Sequence, residues 1–191
     1  MTAADDAAAG DAWEAATRRR VLAAWRETIP PRLAAPGGLH PDVAAWAARL
    51  TATGRPGNLL ISGPVSRGKT WQALHAVETA ILGGWRGSAE FVTTTGWRAA
   101  TGPPQDPGML RKLRERDVII LDDPGAIRLG DWDLEHLYAI ADYRWGRLLP
   151  VIITTNVADL RSMLGERIAA RLAQDVTIVK LDGPDRRRGQ Q

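Results

Sequence analysis

Short apolar runs alternate along the chain with longer segments in which apolar residues recur every three or four positions. The runs predict five strands, at residues 58–62, 90–94, 117–121, 150–154 and 176–181. The periodic segments predict helices between them, at residues 70–82, 107–116, 131–145 and 159–174. Strands that alternate with helices in this way form a parallel sheet that is covered on both faces. The pattern therefore predicts an α/β fold built on a five-stranded parallel sheet.

The first forty or so residues follow a different pattern. Residues 1–11 are small and acidic, and we expect them to be disordered. An amphipathic helix is predicted at residues 12–28, and Pro30 and Pro31 end it because neither supplies an N–H. A second helix is predicted at residues 41–53. We expect three parts: an N-terminal segment of tail, short helix and linker, a main domain and a basic tail, at residues 1–39, 40–183 and 184–191.

The link between the first predicted strand and the next helix carries the most specific motif. It satisfies the pattern G-x-x-x-x-G-K-[ST] with Gly63, Pro64, Val65, Ser66, Arg67, Gly68, Lys69 and Thr70. The glycines let successive N–H groups point at phosphate oxygens, and the helix N-terminus adds partial positive charge. Lys69 is then expected to reach the β- and γ-phosphates, and the Thr70 hydroxyl to bind Mg²⁺. The sequence therefore predicts a site for a nucleoside triphosphate.

Polar residues follow two further predicted strands. Asp122 and Asp123 end the run at residues 118–121, as in a Walker B element, although adjacent acids can also form a turn or a helix cap. In the Walker B interpretation Asp122 holds Mg²⁺, directly or through water, and Asp123 orients the attacking water. Asn156 follows the fourth strand, where it either hydrogen-bonds the γ-phosphate or the water, or caps the next helix. Parallel sheets bind ligands at the carboxyl ends of their strands, where all these residues are predicted to lie.

Two arginines four residues apart, Arg167 and Arg171, share one face of the last predicted helix. They are either solvated, or paired with an acid such as Glu166, or one of them reaches the γ-phosphate of a neighbouring subunit as an arginine finger. A finger that another subunit supplies accelerates hydrolysis by about 10³–10⁵-fold. Hydrolysis would then depend on assembly.

The amino-acid composition excludes several kinds of functional site and favours certain partners. The chain has no Cys, which excludes disulfides, zinc–thiolate sites and thiol nucleophiles. Of its 25 basic residues 22 are Arg, which favours nucleotide or nucleic-acid partners but also follows from GC-rich coding. The acidic N-terminus lacks the positive charge and apolar run of a signal peptide, and no apolar stretch is long enough to span a membrane. We therefore expect a cytoplasmic protein without a membrane partner.

These motifs together resemble the DnaC/DnaI-type helicase loaders of bacteria and phages, and the related IstB transposition helpers, within the AAA+ ATPases. The resemblance spans roughly residues 41–183 and rests on residues 63–70, 120–125, 140–144, 154–156 and 164–172. It implies the following catalytic and magnesium-binding residues: Lys69 and Thr70 in Walker A, Asp122 and Asp123 in Walker B, Asn156 as sensor 1 and Arg171 as arginine finger. It also implies ATP with Mg²⁺, single-stranded DNA, a replicative helicase as partner, and a ring or spiral of identical subunits when ATP is bound.

The chain departs from the family pattern at three points. Ser66 occupies a position that is often Gly, so a left-handed backbone there would be strained and nucleotide affinity lowered. Asp123 stands where many AAA+ proteins carry Glu, and the shorter side chain could slow hydrolysis. Only ten residues follow Leu181, so we expect no helical lid domain and no sensor-2 arginine, which is also a likeness to the helicase loaders.

The sequence thus predicts a P-loop ATPase of the AAA+ (ASCE) class that loads or remodels a replicative helicase, with slow hydrolysis stimulated by DNA or assembly. An IstB-like helper with a transposase as partner shares the same core and is hardly separated from a loader by sequence. A small-molecule or nucleotide kinase would need an acceptor pocket and a lid, and neither is predicted. An inactive P-loop scaffold that binds DNA is supported only by Ser66 and Asp123.

The tryptophans add candidates for contact with partners. The N-terminal helix carries Trp13 and Trp25, and we expect this helix to grip the protein partner. Trp97 and Trp132 are expected near strand ends or in loops, where they either stack on DNA bases or pack within the protein.

Overall fold

The computed structural model describes residues 3–126, 129–156 and 159–182, and side chains from residue 12 onward. The helices are α1 (Ala3–Thr28), α2 (Pro41–Thr53), α3 (Lys69–Leu82), α4 (Thr94–Thr101), α5 (Pro107–Glu115), α6 (Asp131–Trp145), α7 (Leu160–Leu164) and α8 (Glu166–Ala173). The strands are β1 (Leu59–Ser62), β2 (Ala89–Thr93), β3 (Val118–Asp122), β4 (Val151–Thr155) and β5 (Thr177–Lys180). A 3₁₀ turn, Pro31–Leu33, follows α1.

The strands form one parallel sheet in the order β2-β3-β4-β1-β5. This arrangement confirms the predicted α/β fold with a five-stranded parallel sheet. β1 lies between β4 and β5, so the chain leaves β1 at an inner position of the sheet. The carboxyl ends of β1, β3 and β4 are therefore neighbours.

Alternate residues of each strand pack on opposite faces of the sheet. Leu59 and Ile61 of β1 join one apolar cluster, with residues of α1, α2 and α3, whereas Leu60 joins the other, with residues of α4 to α8. This alternation follows from the two-residue period of a strand. Because both faces are covered by helices, the inner strands are apolar except at their carboxyl ends, where polar residues stand, as the sequence pattern indicated.

The N-terminal helix is longer than predicted. We expected residues 1–11 to be disordered, but α1 already begins at Ala3. The segment is rich in alanine, the residue with the highest helix propensity, and this propensity outweighs its lack of apolar periodicity. Trp25 of this helix is buried in the core and its indole N–H donates to the carbonyl of Leu74, so only Trp13, which is 65% exposed, remains available to a partner.

The helix predicted at residues 159–174 is interrupted at Gly165, which has φ +80° and separates α7 from α8. A further helix, α4, begins directly after β2, where the sequence pattern predicted none. The Thr93 hydroxyl caps α4 by accepting the N–H of Gly96, and Trp97 on this helix is buried. Of the two alternatives for Trp97, stacking on DNA bases or packing within the protein, the structure shows packing, four residues after the end of β2.

Trp132 is on α6 and remains half exposed, while its indole N–H donates to the carbonyl of Thr101. The basic tail, residues 184–191, is outside the described residues. Among the helices of the described part of the chain, none has the length and apolar character that a membrane span requires.

Arg144, on α6, is fully buried and ties α6 to the start of two strands. Its guanidinium donates to five backbone carbonyls, those of Leu113, Arg114, Arg116, Asp117 and Pro150, at 2.7 to 3.3 Å. Burial lowers the pKa of Arg144 to about 9, with the charge of Asp117 acting in the opposite direction. The group is therefore still charged at neutral pH, and it binds carbonyls at the end of α5 and just before the two strands.

We expect Arg144→Met to lower the free energy of unfolding by about 3 kcal/mol or more, because buried carbonyls would lose their donor. Urea unfolding followed by circular dichroism measures the loss. Arg147→Met is the matched control: Arg147 is an exposed arginine in the turn after α6, and a surface change of this kind is worth about 0.5 kcal/mol or less. An equal loss in both variants would contradict the role given to Arg144.

Candidate functional site

The predicted phosphate loop lies between β1 and α3, as the motif requires. Its first residue donates its N–H to the carbonyl of Thr155, at 3.2 Å, which fastens the loop to the end of β4. Gly63 has φ +147°, and a Cβ there would lie 2.5 Å from the carbonyl oxygen of Leu181, so no other residue fits. Gly68, with φ +82°, turns the chain into α3. The loop thus has the bend that points backbone N–H groups toward an anion at the helix N-terminus.

Lys69, the first residue of α3, is buried within this loop. Its ammonium group donates to the carbonyl oxygens of Gly63 and Pro64, both at 2.8 Å. Burial lowers the pKa of Lys69, while the charges of Asp123 and Asp122 act to raise it. The ammonium is therefore held at the loop, where phosphate oxygens could replace the two carbonyls as its partners.

One carboxylate oxygen of Asp122 joins three elements of the site. Oδ1 accepts the hydroxyl of Thr70, from α3, at 2.7 Å, and the hydroxyl of Thr154, from β4, at 2.6 Å. Asp122 itself ends β3. The structure therefore brings the predicted magnesium ligands Thr70 and Asp122 into direct contact.

Asp123 is held beside Asp122 by backbone contacts. Its φ is +48°, a left-handed conformation that Asp tolerates better than most residues. The N–H of Asp123 donates to the Thr154 carbonyl and hydroxyl, at 3.1 and 3.0 Å, and its carbonyl accepts the Thr94 hydroxyl at 2.7 Å. Oriented with its nitrogen toward Asp123, the Asn156 amide donates to both carboxylate oxygens, at 2.7 and 2.8 Å.

The pKa of the Asp123 carboxyl is raised above its ordinary value. Burial is the largest cause, the neighbouring charge of Asp122 adds to it, and the Lys69 ammonium and the hydrogen bonds from Asn156 oppose it. Two carboxyl groups and one ammonium thus share this edge of the sheet, where a raised pKa makes Asp123 a better proton acceptor than an exposed aspartate.

The residues present fit a nucleoside triphosphate with Mg²⁺. Two guanidinium nitrogens of Arg67, Nε and Nη1, are buried in the loop without a hydrogen-bond partner, as expected where an anion is bound. Within the described residues no group of three or more His, Cys, Asp or Glu could hold a metal by itself. A site of one carboxylate and one hydroxyl suits Mg²⁺, which usually takes its remaining ligands from water and substrate phosphates.

Arg171 lies away from these residues. It lines a cleft together with Asn58 and Pro150, which precede β1 and β4, so it is at the amino-terminal edge of the strands. The phosphate loop follows the opposite end of β1, and a four-residue strand is about 13 Å long. Arg171 therefore does not join Lys69, Asp123 and Asn156 within one chain. Arg167, its partner in the sequence pattern, is exposed on α8.

Two side chains of the site had no role in the sequence analysis, Thr94 and Thr154. Thr154 belongs to the Thr-Thr-Asn segment, so a signal existed, but Asn156 alone was given a role. Thr94 carried no signal, because the sequence does not reveal that β2 lies next to β3. The Thr94 hydroxyl donates to the carbonyl of Asp123, and the Thr154 hydroxyl donates to the carboxylate of Asp122. Both hydroxyls therefore position the two acids and add no further chemistry.

Ser66 has φ +66°, the left-handed conformation that the sequence analysis considered. Such a backbone costs an L-residue about 1–2 kcal/mol, and the greater freedom of glycine in the unfolded chain offsets about 0.5–1 kcal/mol. We therefore expect Ser66→Gly to raise the free energy of unfolding by up to about 1 kcal/mol, measured by urea unfolding. Ser66→Ala, which keeps the strain and removes the hydroxyl, should give no gain, and a gain with Ala would contradict this account.

We also expect Asp123→Asn to stabilise the chain at neutral pH. The folded state binds the Asp123 proton more tightly than the unfolded state, so stability is lost as the pH rises through the raised pKa. Because Asp123 is only half-buried and solvent screens its charge in part, the gain should stay below about 1 kcal/mol. Unfolding at several pH values should show the gain above the raised pKa and its disappearance below about pH 4, the range of an unfolded aspartate. Asp182→Asn, at an exposed position, is the control.

Comparison with solved structures finds the same fold in other proteins. The chain is similar to the DnaC helicase loader, with a TM-score of 0.62 and 24% identity over 71% of this chain and 86% of that one. It is similar to DnaI, with a TM-score of 0.62 and 21% identity over 88% and 93%. It also resembles the replication initiator DnaA bound to AMPPCP and single-stranded DNA, with a TM-score of 0.63 and 14% identity over 78% of this chain and 48% of that one.

Neither a protein-family model nor a curated protein matches the sequence. The likeness is therefore one of structure, over 71% and 88% of this chain for the first two of these proteins. The chain has an α/β fold with a five-stranded parallel sheet and a P-loop, and its structure is similar to those of the DnaC helicase loader and of DnaI.

Proposed function

We propose that this chain is an ATP-hydrolysing AAA+ protein that loads or remodels a replicative DNA helicase on single-stranded DNA. The proposal rests on one observation: the structure brings four residues together at one edge of the sheet, namely Lys69, Thr70, Asp122 and Asp123. This meeting occurs in a fold that is similar to helicase loaders over most of the chain. The slow, stimulated hydrolysis predicted from the sequence is part of the proposal.

The triphosphate is bound by the loop from Gly63 to Thr70. Its backbone N–H groups and the start of α3 attract the phosphates, and the Lys69 ammonium exchanges the carbonyls of Gly63 and Pro64 for phosphate oxygens. The two unpartnered nitrogens of Arg67 add positive charge to the loop. Thr70 and Asp122 would hold Mg²⁺, which when bound neutralises charge on the phosphates.

Asp123 orients the attacking water and accepts its proton. Its raised pKa favours this role, since a proton acceptor works best when its pKa approaches the operating pH. Asn156 donates to the carboxylate of Asp123 and fixes its direction. Asn156 is therefore placed to sense the γ-phosphate through Asp123 as well as by direct contact.

Hydrolysis is completed by a second copy of the chain. Arg171 lies at the opposite edge of the sheet from the loop, so it cannot serve the site of its own subunit. In a ring or spiral assembly it would reach the triphosphate of the neighbouring subunit, where an arginine is worth about 10³–10⁵ in rate. Assembly and hydrolysis are then linked, and single-stranded DNA that promotes assembly stimulates turnover.

We expect the purified chain to release phosphate from ATP slowly, and faster with single-stranded DNA. Lys69→Ala should lower the stimulated rate at least about tenfold, because the loop loses its main cation. Lys112→Ala, an exposed lysine on α5, is the matched control. Thin-layer analysis separates the products: a phosphorylated acceptor in place of free phosphate would indicate a kinase, and an unchanged rate in Lys69→Ala would indicate an inactive scaffold.

The partner is identified by copurification. The tagged chain, incubated with the replicative helicase of its host, should retain the helicase with ATP and lose it in the Lys69→Ala variant. Retention of a transposase in place of the helicase would support the IstB-like alternative. If the chain retains neither a helicase nor a transposase, with or without ATP, the loader proposal is contradicted.

A further inference from the structure

The guanidinium group of Arg171 is held at one edge by an ion pair and on one face by an aromatic ring. Its Nε donates to Oδ1 of Asp142 at 2.9 Å, and its guanidinium carbon lies 4.1 Å from the ring centroid of Trp145. Asp142 and Trp145 are three residues apart on α6, so one turn of that helix supplies both contacts. The plane and the direction of the guanidinium group are therefore both restricted.

The Trp145 side chain is itself held, and Asp142 stands on a packed helix. The indole N–H of Trp145 donates to the side-chain oxygen of Gln174, which follows α8. α6 and α8 pack through buried apolar residues, among them Ala141 and Leu172, next to the two contacts. The backbone that carries both partners of Arg171 is therefore fixed relative to α8.

The terminal nitrogens of Arg171 are the part that these contacts leave open. Asp142 accepts from Nε, and within the described residues no acceptor lies within hydrogen-bond distance of Nη1 or Nη2. The side chain is 34% exposed and borders an open cleft of about 760 Å³ at the amino-terminal edge of the strands. Arginine binds phosphate oxygens with its planar fork of N–H groups, so the open nitrogens suit that role.

We propose that Asp142 and Trp145 are positioning residues for Arg171, which hold its terminal nitrogens toward the triphosphate of a second copy of this chain. The inference rests on the proposed function and adds residues to it. A long side chain loses conformational freedom when it binds, and a side chain that is already ordered loses less. The support should therefore raise the rate of stimulated hydrolysis without changing nucleotide binding by the loop.

The neighbouring residue pair on α6 provides a matched control. Tyr143 also carries a stacked arginine, since the guanidinium carbon of Arg147 lies 3.7 Å from its ring centroid. Within the described residues Arg147 forms no ion pair with a carboxylate. Tyr143→Leu thus removes an aromatic–arginine contact of the same kind from the same helix but leaves Arg171 in place.

The experiment mixes two kinds of subunit. Donor subunits carry Asp123→Asn and keep Arg171, so they offer a finger but do not hydrolyse ATP. Acceptor subunits carry Arg171→Ala and keep an intact loop and Asp123. Phosphate release with single-stranded DNA should be low for each alone and should recover on mixing, which tests whether the finger acts between subunits.

Asp142→Asn or Trp145→Leu is then added to either the donor or the acceptor. We expect a loss of about three- to tenfold when the change is in the donor, the scale of one exposed ion pair with a stacking contact. We expect no loss when it is in the acceptor, and no change in the affinity of either subunit for a fluorescent ATP analogue. Tyr143→Leu should have no effect in the donor. Equal urea midpoints for donor variants exclude a general loss of stability.

Several results would overturn the inference. An equal loss in donor and acceptor would mean that Asp142 and Trp145 only stabilise the fold. A rise in rate with donor Asp142→Asn would mean that the acid restrains Arg171. If Asp142→Asn and Trp145→Leu in the donor leave the rate unchanged although Arg171→Ala removes stimulation, Arg171 acts as the finger but does not need Asp142 and Trp145. If the Arg171→Ala variant alone keeps its full stimulated activity, both the finger and its support are rejected. Binding of the helicase, on which the proposed function depends, is tested separately by copurification.

Discussion

The parallel alignment of β1, β3 and β4 is the constraint on which the whole site depends. It brings a loop, an acid and a hydroxyl from three distant parts of the sequence to one edge, where Asp122 Oδ1 accepts from both Thr70 and Thr154. A shift of one residue in the pairing of β3 with β4 would turn these side chains to the other face. The apolar packing of both faces prevents such a shift, because it would place buried residues on the wrong side.

Local chemistry explains how much could be predicted from the sequence. The phosphate loop, the two acids and Asn156 were found because glycine, lysine and acids have to stand at fixed spacings next to apolar runs. The strand positions agree with the structure within a residue or two for the same reason. The five-stranded parallel sheet followed from the alternation of strands and helices.

The rest depended on contacts between distant residues. α4 begins with two threonines and a glycine, a composition that indicates a loop, and it becomes a helix through the cap at Thr93 and the burial of Trp97. The break at Gly165 needs a positive φ that the apolar period does not reveal. Arg144 was noted only as part of a family motif, yet it carries five carbonyl contacts in the core. Neither Asp142 nor Trp145 could be connected with Arg171 before α6 and α8 were seen to pack together.

The close approach of Leu181 to the phosphate loop has a practical consequence for the design of shorter variants. Leu181 donates its N–H to the carbonyl of Ser62, and its own carbonyl oxygen occupies the space that a side chain at Gly63 would need. The residue that follows β5 thus forms one wall of the loop between β1 and α3. A truncation before Leu181 would remove this contact with the loop while leaving every motif residue intact. Boundaries chosen from motifs alone would therefore give a chain that contains the complete motif but binds its ligand poorly.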